Sequence, residues 1–335
     1  MTTAYSGDGI TFPDNTVQAT APRVGMVNRI INGDMRIDQR GVVASTHTSY
    51  VPDRFRIIKD TSDGTFTMQQ SSVAPAGFTN SALFTVGTAY TPTVSANNFY
   101  RQGVEGFNIA DLNWGSANAA PITLSFWVRA SVTGLFGGAL RNGDSTRSYP
   151  FSYTIAVANT WEQKIITVVG DTTGNWLTTT GVGIDVGWGL SVGSSFSGTA
   201  GAWAAGNYIS ATGATYITST AGATFYITGV QLEKGSTATD FEYVDYSRQL
   251  QQCQRYYETS ITGAGSRNSD NYGIYAGVFK TTKRANPSVS YVASGAQGGL
   301  GGFYLGPNLD GFVAYSTSTN ASSGNYFTYT ATSEL

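Results

Sequence analysis

An alternation of apolar and other side chains over Ile122–Arg129 is the strongest constraint on the fold of this chain. One face of this run carries four apolar side chains, Ile122, Leu124, Phe126 and Val128. Because successive side chains of a β-strand point to opposite sides of a sheet, the pattern predicts a strand with one buried face. Similar runs cover Trp161–Val169, Gly181–Leu190 and Thr224–Leu232. Gly229 lies inside the last run and predicts a β-bulge there.

The composition favours strands over helices. Only 12% of the 335 residues are charged, roughly half of the usual share of about 25%, whereas 41 residues are glycine. Glycine loses entropy in helices, and small polar residues compete there with the backbone hydrogen bonds. We therefore expect an all-β protein of the extracellular or virion type rather than a helical cytosolic enzyme.

The same sequence excludes several classes of partner. A net charge of −2 provides no broad positive field for phosphates, so nucleic acid is not an expected partner. No run approaches the ~20 apolar residues that cross a bilayer, and the segment MTTAYSGDGI lacks the basic and apolar parts of a secretory signal. The lone cysteine, Cys253, excludes an intrachain disulfide framework. We expect no membrane insertion, folding in a host cytoplasm and release by a route such as lysis.

The spacing of turn residues predicts four parts of the chain. Residues 1–23 predict a short strand–turn–strand or an extended chain that serves as an N-terminal attachment arm. Residues 24–245 predict a β-sandwich of the jelly-roll kind. Residues 246–258 predict a connector helix, since Asp245 is a suitable N-cap and apolar side chains recur at helical spacing. Those side chains are Tyr246, Leu250, Cys253 and Tyr257. Residues 259–335 predict a small C-terminal β-domain that forms the tip.

The strands predicted in the C-terminal part carry apolar or aromatic groups on both faces. These strands are Tyr272–Lys280, Ser288–Val292, Asp310–Ser316 and Tyr326–Ala331. A lone module of about 75 residues buries too little surface to cover both faces. We therefore expect several copies of the chain to associate.

Three stretches of the sequence carry recognisable motifs. They are Asn28–Gly41 with Tyr50–Phe55, Phe225–Gly235 continuing through Asp240–Tyr243 into Arg248–Glu258, and the run Lys283–Ser290 with the ending Ser333–Leu335. Together they resemble bacteriophage tail-fibre and related virion proteins, and the pattern QLE…CQRYYE is the most specific part. The segment Gly9–Thr16 is similar to the start of such fibres. The central domain resembles the jelly-roll carbohydrate-binding modules of glycan-degrading enzymes.

This resemblance implies a homotrimeric, non-catalytic subunit of a tail fibre or another outer virion appendage, which attaches to a glycan of the host-cell surface. The N-terminal arm would then bind other virion proteins. Head fibres and capsid decoration proteins use the same modules, so a structural role on the capsid is the alternative. Related jelly-roll modules often hold a structural calcium ion between their first and last strands, where Asp34 and Glu233 lie.

The sequence shows no constellation typical of an enzyme. Its one histidine, His47, lies in a polar loop, and no serine has the G-x-S-x-G surroundings of a nucleophile elbow. One cysteine and one histidine do not make a zinc site. A polysaccharide depolymerase is the third hypothesis, because the carboxylate pair of a glycosidase meets only in the fold. The absence of internal repeats argues against the β-helix of many such enzymes.

Aromatic side chains are the candidate ligand-binding groups. Sugars present flat apolar C–H faces, so glycan sites combine Trp or Tyr rings with hydrogen-bonding neighbours. The candidates are Trp114, Trp127, Arg129, Trp176 and Trp203 in the central domain, and Tyr304, Tyr315 and Tyr326 near the tip. Trp161 and Trp188 are expected in the core. The opposing interpretation is that the arm or a neighbouring subunit covers these rings, since tryptophan is highly buried on average.

Overall fold

The computed structural model describes residues 4–6, 9–11, 17–18, 26–41, 48–59, 64–262, 274–294, 307–315 and 326–335. The strands up to residue 130 are β1 (Ala4–Ser6), β2 (Gly9–Thr11), β3 (Val17–Gln18), β4 (Thr48–Tyr50), β5 (Arg56–Ile58), β6 (Phe66–Ser71), β7 (Ser81–Val86), β8 (Asn97–Glu105) and β9 (Ile122–Ala130). Those up to residue 234 are β10 (Gly134–Asn142), β11 (Arg147–Ile155), β12 (Glu162–Val168), β13 (Val182–Val192), β14 (Ser197–Gly198), β15 (Ala204–Ala205), β16 (Ser210–Ala211) and β17 (Thr224–Lys234). The remainder are β18 (Tyr257–Thr262), β19 (Ile274–Val278), β20 (Ser288–Ser294), β21 (Gly311–Tyr315) and β22 (Tyr326–Thr332). An α-helix, α1, covers Tyr246–Gln254, and short 3₁₀ helices cover Gly106–Asn108, Ala110–Leu112, Ser194–Phe196 and Ile217–Ser219.

Two antiparallel sheets of the described strands face each other and form a sandwich. The larger sheet has seven strands in the order β15-β11-β10-β13-β8-β5-β4, and the smaller sheet has five in the order β12-β9-β17-β7-β6. The chain crosses repeatedly between the sheets, as it does from β8 to β9, β10, β12 and β13. This connectivity is typical of jelly-roll sandwiches. The predicted all-β jelly-roll class is confirmed.

The core lies between the two sheets and is filled from both sides. The predicted apolar face of β9 is buried there, since Ile122, Leu124, Phe126 and Val128 are all fully covered. Phe126 packs edge-on against Trp188 and Tyr153 of the larger sheet, with ring centroids 5.5 and 5.1 Å apart. Full burial of one such side chain contributes about 1.5–3 kcal/mol. Trp188 is a core residue, as the sequence predicted.

β17 contains the β-bulge that Gly229 predicts. The register with β9 shifts between Thr228 and Gln231, and Gly229 has a φ of +60°. The side chains of β17 that face the core are Phe225 and Ile227 before the bulge, and Val230 and Leu232 after it. Without the extra residue, the alternation of the strand would turn Val230 and Leu232 outward. The bulge therefore keeps both halves of the strand in the core.

The helix α1 begins where the sequence predicts and ends earlier. The carboxylate of Asp245 caps it by accepting hydrogen bonds from two backbone N–H groups of the first turn, at 2.9 and 3.3 Å. The helix ends at Gln254 because Tyr257 and Glu258, which the sequence assigned to it, begin β18 and pair with β22. The connector helix is therefore confirmed with a shorter range.

The buried face of α1 is more polar than predicted. Cys253 is fully buried, and this burial raises the pKa of its thiol well above the ordinary value. Tyr246, which the sequence placed on the same face, is 53% exposed. Gln249 turns inward instead, because its amide accepts a hydrogen bond from Arg36 at 2.6 Å and donates one to Asp34 at 3.0 Å.

The C-terminal strands form two small sheets, β18-β22-β20 and β19-β21. The four strands predicted there start and end within two residues of the observed ones. Phe312 packs edge-on against Tyr329, with ring centroids 4.9 Å apart. Beside them Lys283 Nζ lies 2.7 Å from the carboxylate of Glu258, and both side chains are fully buried. Loss of one partner of such a pair leaves an uncompensated charge, at a cost of about 3–5 kcal/mol.

Charged side chains join the helix and the C-terminal strands to the sandwich. Glu105 at the end of β8 accepts hydrogen bonds from Arg255 at 2.7 and 3.0 Å, and from the Tyr256 hydroxyl at 2.7 Å. Glu334 forms ion pairs with Arg54 and, at 3.1 Å, with Arg40. These contacts place α1 against one end of the sandwich.

Gly229→Ala is expected to lower the free energy of unfolding by about 2–5 kcal/mol, from the cost of a positive φ and of overpacking. The new Cβ would lie 2.7 Å from the ring of Phe78 and 2.9 Å from the ring of Trp127. Urea unfolding measures the loss. Gly222→Ala is the control, because Gly222 has a φ of +74° and nothing within 4 Å of an added Cβ. We expect it to cost only about 1–2 kcal/mol, and equal losses in the two variants would contradict this account.

Candidate functional site

An aromatic strip lies on the outer face of the smaller sheet. Trp127 and Arg129 point away from the core, as predicted, and both are half-buried. The antiparallel register places Tyr226 of β17 opposite Arg129, and Gln163 of β12 opposite Trp127. Trp161 immediately precedes β12 and packs edge-on against Tyr226, with ring centroids 6.0 Å apart. Trp127, Tyr226, Trp161 and Arg129 are called the aromatic strip below.

The guanidinium group of Arg129 is held beside the rings. Its Nε donates a hydrogen bond to the carbonyl of Asn159 at 2.8 Å, and its Cζ lies 5.2 Å from the ring centroid of Tyr226. This distance is within the range of a cation–π interaction. The terminal nitrogens of Arg129 donate to no group in the described part of the chain, so they are available to a ligand.

Three further rings continue the aromatic strip past the bulge. Phe78 packs against Phe241 and Tyr243, with ring centroids 5.1 and 5.7 Å apart. The missing side chain of Gly229 makes room for Phe78 and Trp127 on the outside of β17. Tyr243 is 58% exposed, and its hydroxyl donates to a backbone carbonyl at 2.8 Å. Desolvation raises the pKa of this hydroxyl above its ordinary value.

The polar atoms of the strip rings form no hydrogen bonds with the described residues. The indole N–H groups of Trp127 and Trp161 and the hydroxyl of Tyr226 have no hydrogen-bond partner among the described residues. Three other tryptophans instead donate to backbone carbonyls, Trp114 to Ala120 at 2.7 Å, Trp176 to Thr173 at 3.1 Å and Trp203 to Val169 at 2.8 Å. The strip therefore combines half-exposed rings with free donors, which is the combination that a hydroxyl-rich ligand requires.

Trp114, Trp176 and Trp203 form a separate cluster, in which the rings stand edge-on at 4.6, 5.3 and 5.3 Å. The sequence placed them in exposed loops as ligand-binding candidates. The structure instead buries Trp114 and Trp176, at 8% and 7% exposure, within the core. Trp203 remains half-buried and packs against Tyr149. Their rings stabilise loops that have no sheet of their own, and they offer little free face to a ligand.

The remaining sequence candidates are not brought to the strip by the described structure. Tyr304 and His47 lie outside the described residues. Tyr315 ends β21 and Tyr326 begins β22, and their side chains also lie outside what the structure describes. Their proposed contacts with a ligand stay predictions.

The residues proposed for calcium do not fit that ion. Asp34 forms an ion pair with Arg36 and accepts a hydrogen bond from Gln249. Glu233 is fully buried and accepts hydrogen bonds from the backbone N–H and the hydroxyl of Thr239, at 2.8 and 2.7 Å. Calcium requires six to eight oxygen ligands, whereas these carboxylates face nitrogen and hydroxyl donors. No group of three or more candidate ligands occurs among the described residues.

Glu162, the neighbour of Trp161 in the chain, is an unsuitable acid for glycoside cleavage. Its carboxylate accepts hydrogen bonds from Lys164 at 2.6 Å and from two backbone N–H groups at 2.9 and 3.0 Å. Burial acts to raise the pKa of Glu162, but these hydrogen bonds outweigh it and hold the pKa below its ordinary value. A general acid needs the opposite shift.

Sequence reasoning identified two of the four strip residues, Trp127 and Arg129, and missed the other two. Trp161 was expected in the core, but it lies half-buried on the outer face. Tyr226 and Phe78 were not singled out at all. Tyr226 lies two residues after Thr224 in a strand that the sequence predicts, so both side chains share its outer face, and this direction could have been predicted. Phe78 lies in a loop and reaches the strip only through the fold.

Comparisons with known proteins give only distant likenesses. No family model and no curated protein matches the sequence. The enzymatically active domain of tailspike protein 4 from bacteriophage CBA120 is similar over 62% of this chain, with a TM-score of 0.33 and 14% identity, and the match spans only 21% of the tailspike chain. A family 4 carbohydrate-binding module is similar over 61% of this chain and 97% of its own (TM-score 0.32, 14% identity). A family 61 module in complex with β-1,4-galactotriose is similar over 62% and 98% (TM-score 0.33, 9% identity).

Likenesses at these TM-scores do not indicate what this chain binds. Within the described ranges, no helix has both the length and the hydropathy of a membrane span.

The accessibility of the tryptophans is directly testable by acrylamide quenching of their fluorescence. Trp127→Phe and Trp161→Phe are each expected to remove part of the quenchable emission of the six tryptophans. Trp188→Phe is expected to leave the quenchable emission unchanged, because Trp188 is fully buried. A loss of quenchable emission in Trp188→Phe, or none in the strip variants, would contradict the placement of these rings.

Proposed function

We propose that this chain binds glycan through the aromatic strip and does not cleave it. The observation that carries the proposal is the free state of the strip, in which the N–H groups of Trp127 and Trp161 and the hydroxyl of Tyr226 are unbonded among the described residues. Sugar C–H faces pack on such rings, and sugar hydroxyls bond to donors beside them. Arg129 and Gln163 supply further hydrogen-bonding groups at the edge of the rings.

The shape of the strip suits an internal stretch of a polysaccharide. It runs across three neighbouring strands, β12, β9 and β17, along the outer face of the smaller sheet. An open site of this kind gives weak contacts, and high affinity then requires several copies bound at once. Association of copies supplies this through effective concentration.

The finer proposal is a virion role. We propose that the chain is a homotrimeric subunit of a phage tail fibre or another outer virion appendage, made in the host cytoplasm, which attaches the particle to a host-surface glycan. The sequence motifs that resemble virion fibre proteins support it, as does the low charge of the surface. The N-terminal arm, with its short strands β1 to β3, would bind other virion proteins.

Trp127→Ala and Tyr226→Ala are each expected to weaken glycan binding by about 5- to 30-fold, because each removes a stacking ring worth about 1–2 kcal/mol. A panel of bacterial surface polysaccharides first identifies a ligand, and isothermal titration calorimetry then measures the loss. Ile165→Ala is the matched control, since Ile165 lies on the same face, is 54% exposed and is not aromatic.

Wild-type affinity in both strip variants would refute the strip as the binding site. Release of reducing ends from the bound polysaccharide by the wild-type protein would refute the non-catalytic role.

Location on the intact particle tests the virion role. Gold-labelled antibody against this chain is expected to mark the tail or its periphery. Label on the capsid would instead make the chain a head fibre or decoration protein. Absence from purified particles would remove the virion assignment altogether, while leaving the glycan-binding measurement unaffected.

A further inference from the structure

A pocket of about 330 Å³ lies where α1 meets the end of the sandwich. Its walls come from three separate parts of the chain, within residues 26–33, 105–108 and 241–256. It adjoins the rings that continue the aromatic strip, because Phe241 lines the pocket and also packs against Phe78. Its volume is at the lower end of the range found for small-molecule sites, roughly 300–1,000 Å³.

The polar groups of the deep wall of the pocket already bind one another. Glu105 is bound by Arg255 and by the hydroxyl of Tyr256, all within 3.0 Å. Burial acts to raise the pKa of Glu105, but these hydrogen bonds outweigh it and hold the pKa below its ordinary value. The buried carboxylate therefore stays ionised and paired, which fixes the position of α1 relative to the sandwich.

The outer wall carries polar groups that have no hydrogen-bond partner among the described residues. The side-chain amides of Asn108 and Gln252 and the guanidinium of Arg248 have no hydrogen-bond partner within the described ranges. Glu242 uses one carboxylate oxygen to accept from the backbone N–H of Asn28 at 2.6 Å. Donors and acceptors thus surround one small space.

The pocket also presents an exposed ring. Phe107 lies at the edge of the pocket, two residues after the end of the buried strand β8, and is 59% exposed. An aromatic side chain exposed to this degree next to unpaired amides is costly to leave in water and is typical of a binding surface.

The charges of the pocket indicate a neutral ligand. Its two arginines, Arg248 and Arg255, are balanced by two glutamates, Glu105 and Glu242. A cation or an anion would therefore meet no net field of opposite sign. Hydroxyl groups, which both donate and accept, match the mixture of amide, guanidinium and carboxylate groups, and the ring of Phe107 matches a C–H face.

We infer that this pocket binds the end of a neutral glycan, as a mono- or disaccharide, and forms a second sugar site beside the aromatic strip. The inference shares its ligand class with the proposed function but rests on different residues. The strip would hold the length of a chain, and the pocket, whose walls come from three segments, would select its terminal sugar.

The test uses the full-length chain carrying Trp127→Ala, so that the strip contributes little. Saturation-transfer NMR with a mixture of glucose, galactose, mannose and N-acetylglucosamine reports which of the four sugars binds. We expect transfer to at least one of them. Adding Phe107→Ala or Gln252→Ala should reduce that signal at least fivefold.

Two matched variants separate binding from folding. Gln251→Ala, on the same helix but outside the pocket, should retain the signal, and so should Phe107→Tyr, which keeps the ring. The pocket site is refuted if none of the four sugars shows transfer, or if Phe107→Ala and Gln252→Ala retain it. Its failure is distinguishable from failure of the aromatic strip, because the chain with Trp127 intact would still bind polysaccharide through the strip.

Discussion

The bulge at Gly229 is the constraint on which both faces of the smaller sheet depend. β17 is a central strand of that sheet, paired with β9 on one side and β7 on the other. The extra residue shifts its alternation by one position, which returns Val230 and Leu232 to the core. The same glycine leaves space outside for the rings of Phe78 and Trp127. One backbone conformation thus sets the packing of the interior and the shape of the aromatic strip.

The outer face of β17 is covered on one side of the bulge and open on the other. Beyond the bulge, Gln231 and Glu233 are fully buried and bond to Glu242 and Thr239 of the segment that lies over them. Before the bulge, Tyr226 is only half-buried. The covering segment also carries Phe241 and Tyr243, so the edge of the cover continues the line of rings. The segment that covers β17 therefore contributes both to the line of rings and to the wall of the pocket.

Local patterns in the sequence predicted the strands well, whereas contacts between distant segments decided what it missed. The alternation over Ile122–Arg129 needs only the geometry of one strand, so the outward direction of Trp127 followed from it. The burial of Trp176 could not be predicted this way, because its neighbours come from other loops. Gln249 faces inward because it forms hydrogen bonds with side chains more than two hundred positions away in the sequence. The pocket likewise requires three distant segments to meet.

The burial of Cys253 has a practical consequence. It is the sole thiol in the chain, and its enclosure keeps it both inaccessible and protonated. A cysteine introduced on the surface would therefore be the one reactive site in the folded protein, with no need to remove the native residue first. A dye or spin label could be attached at one position beside the strip or the pocket, and its signal followed as sugars are added.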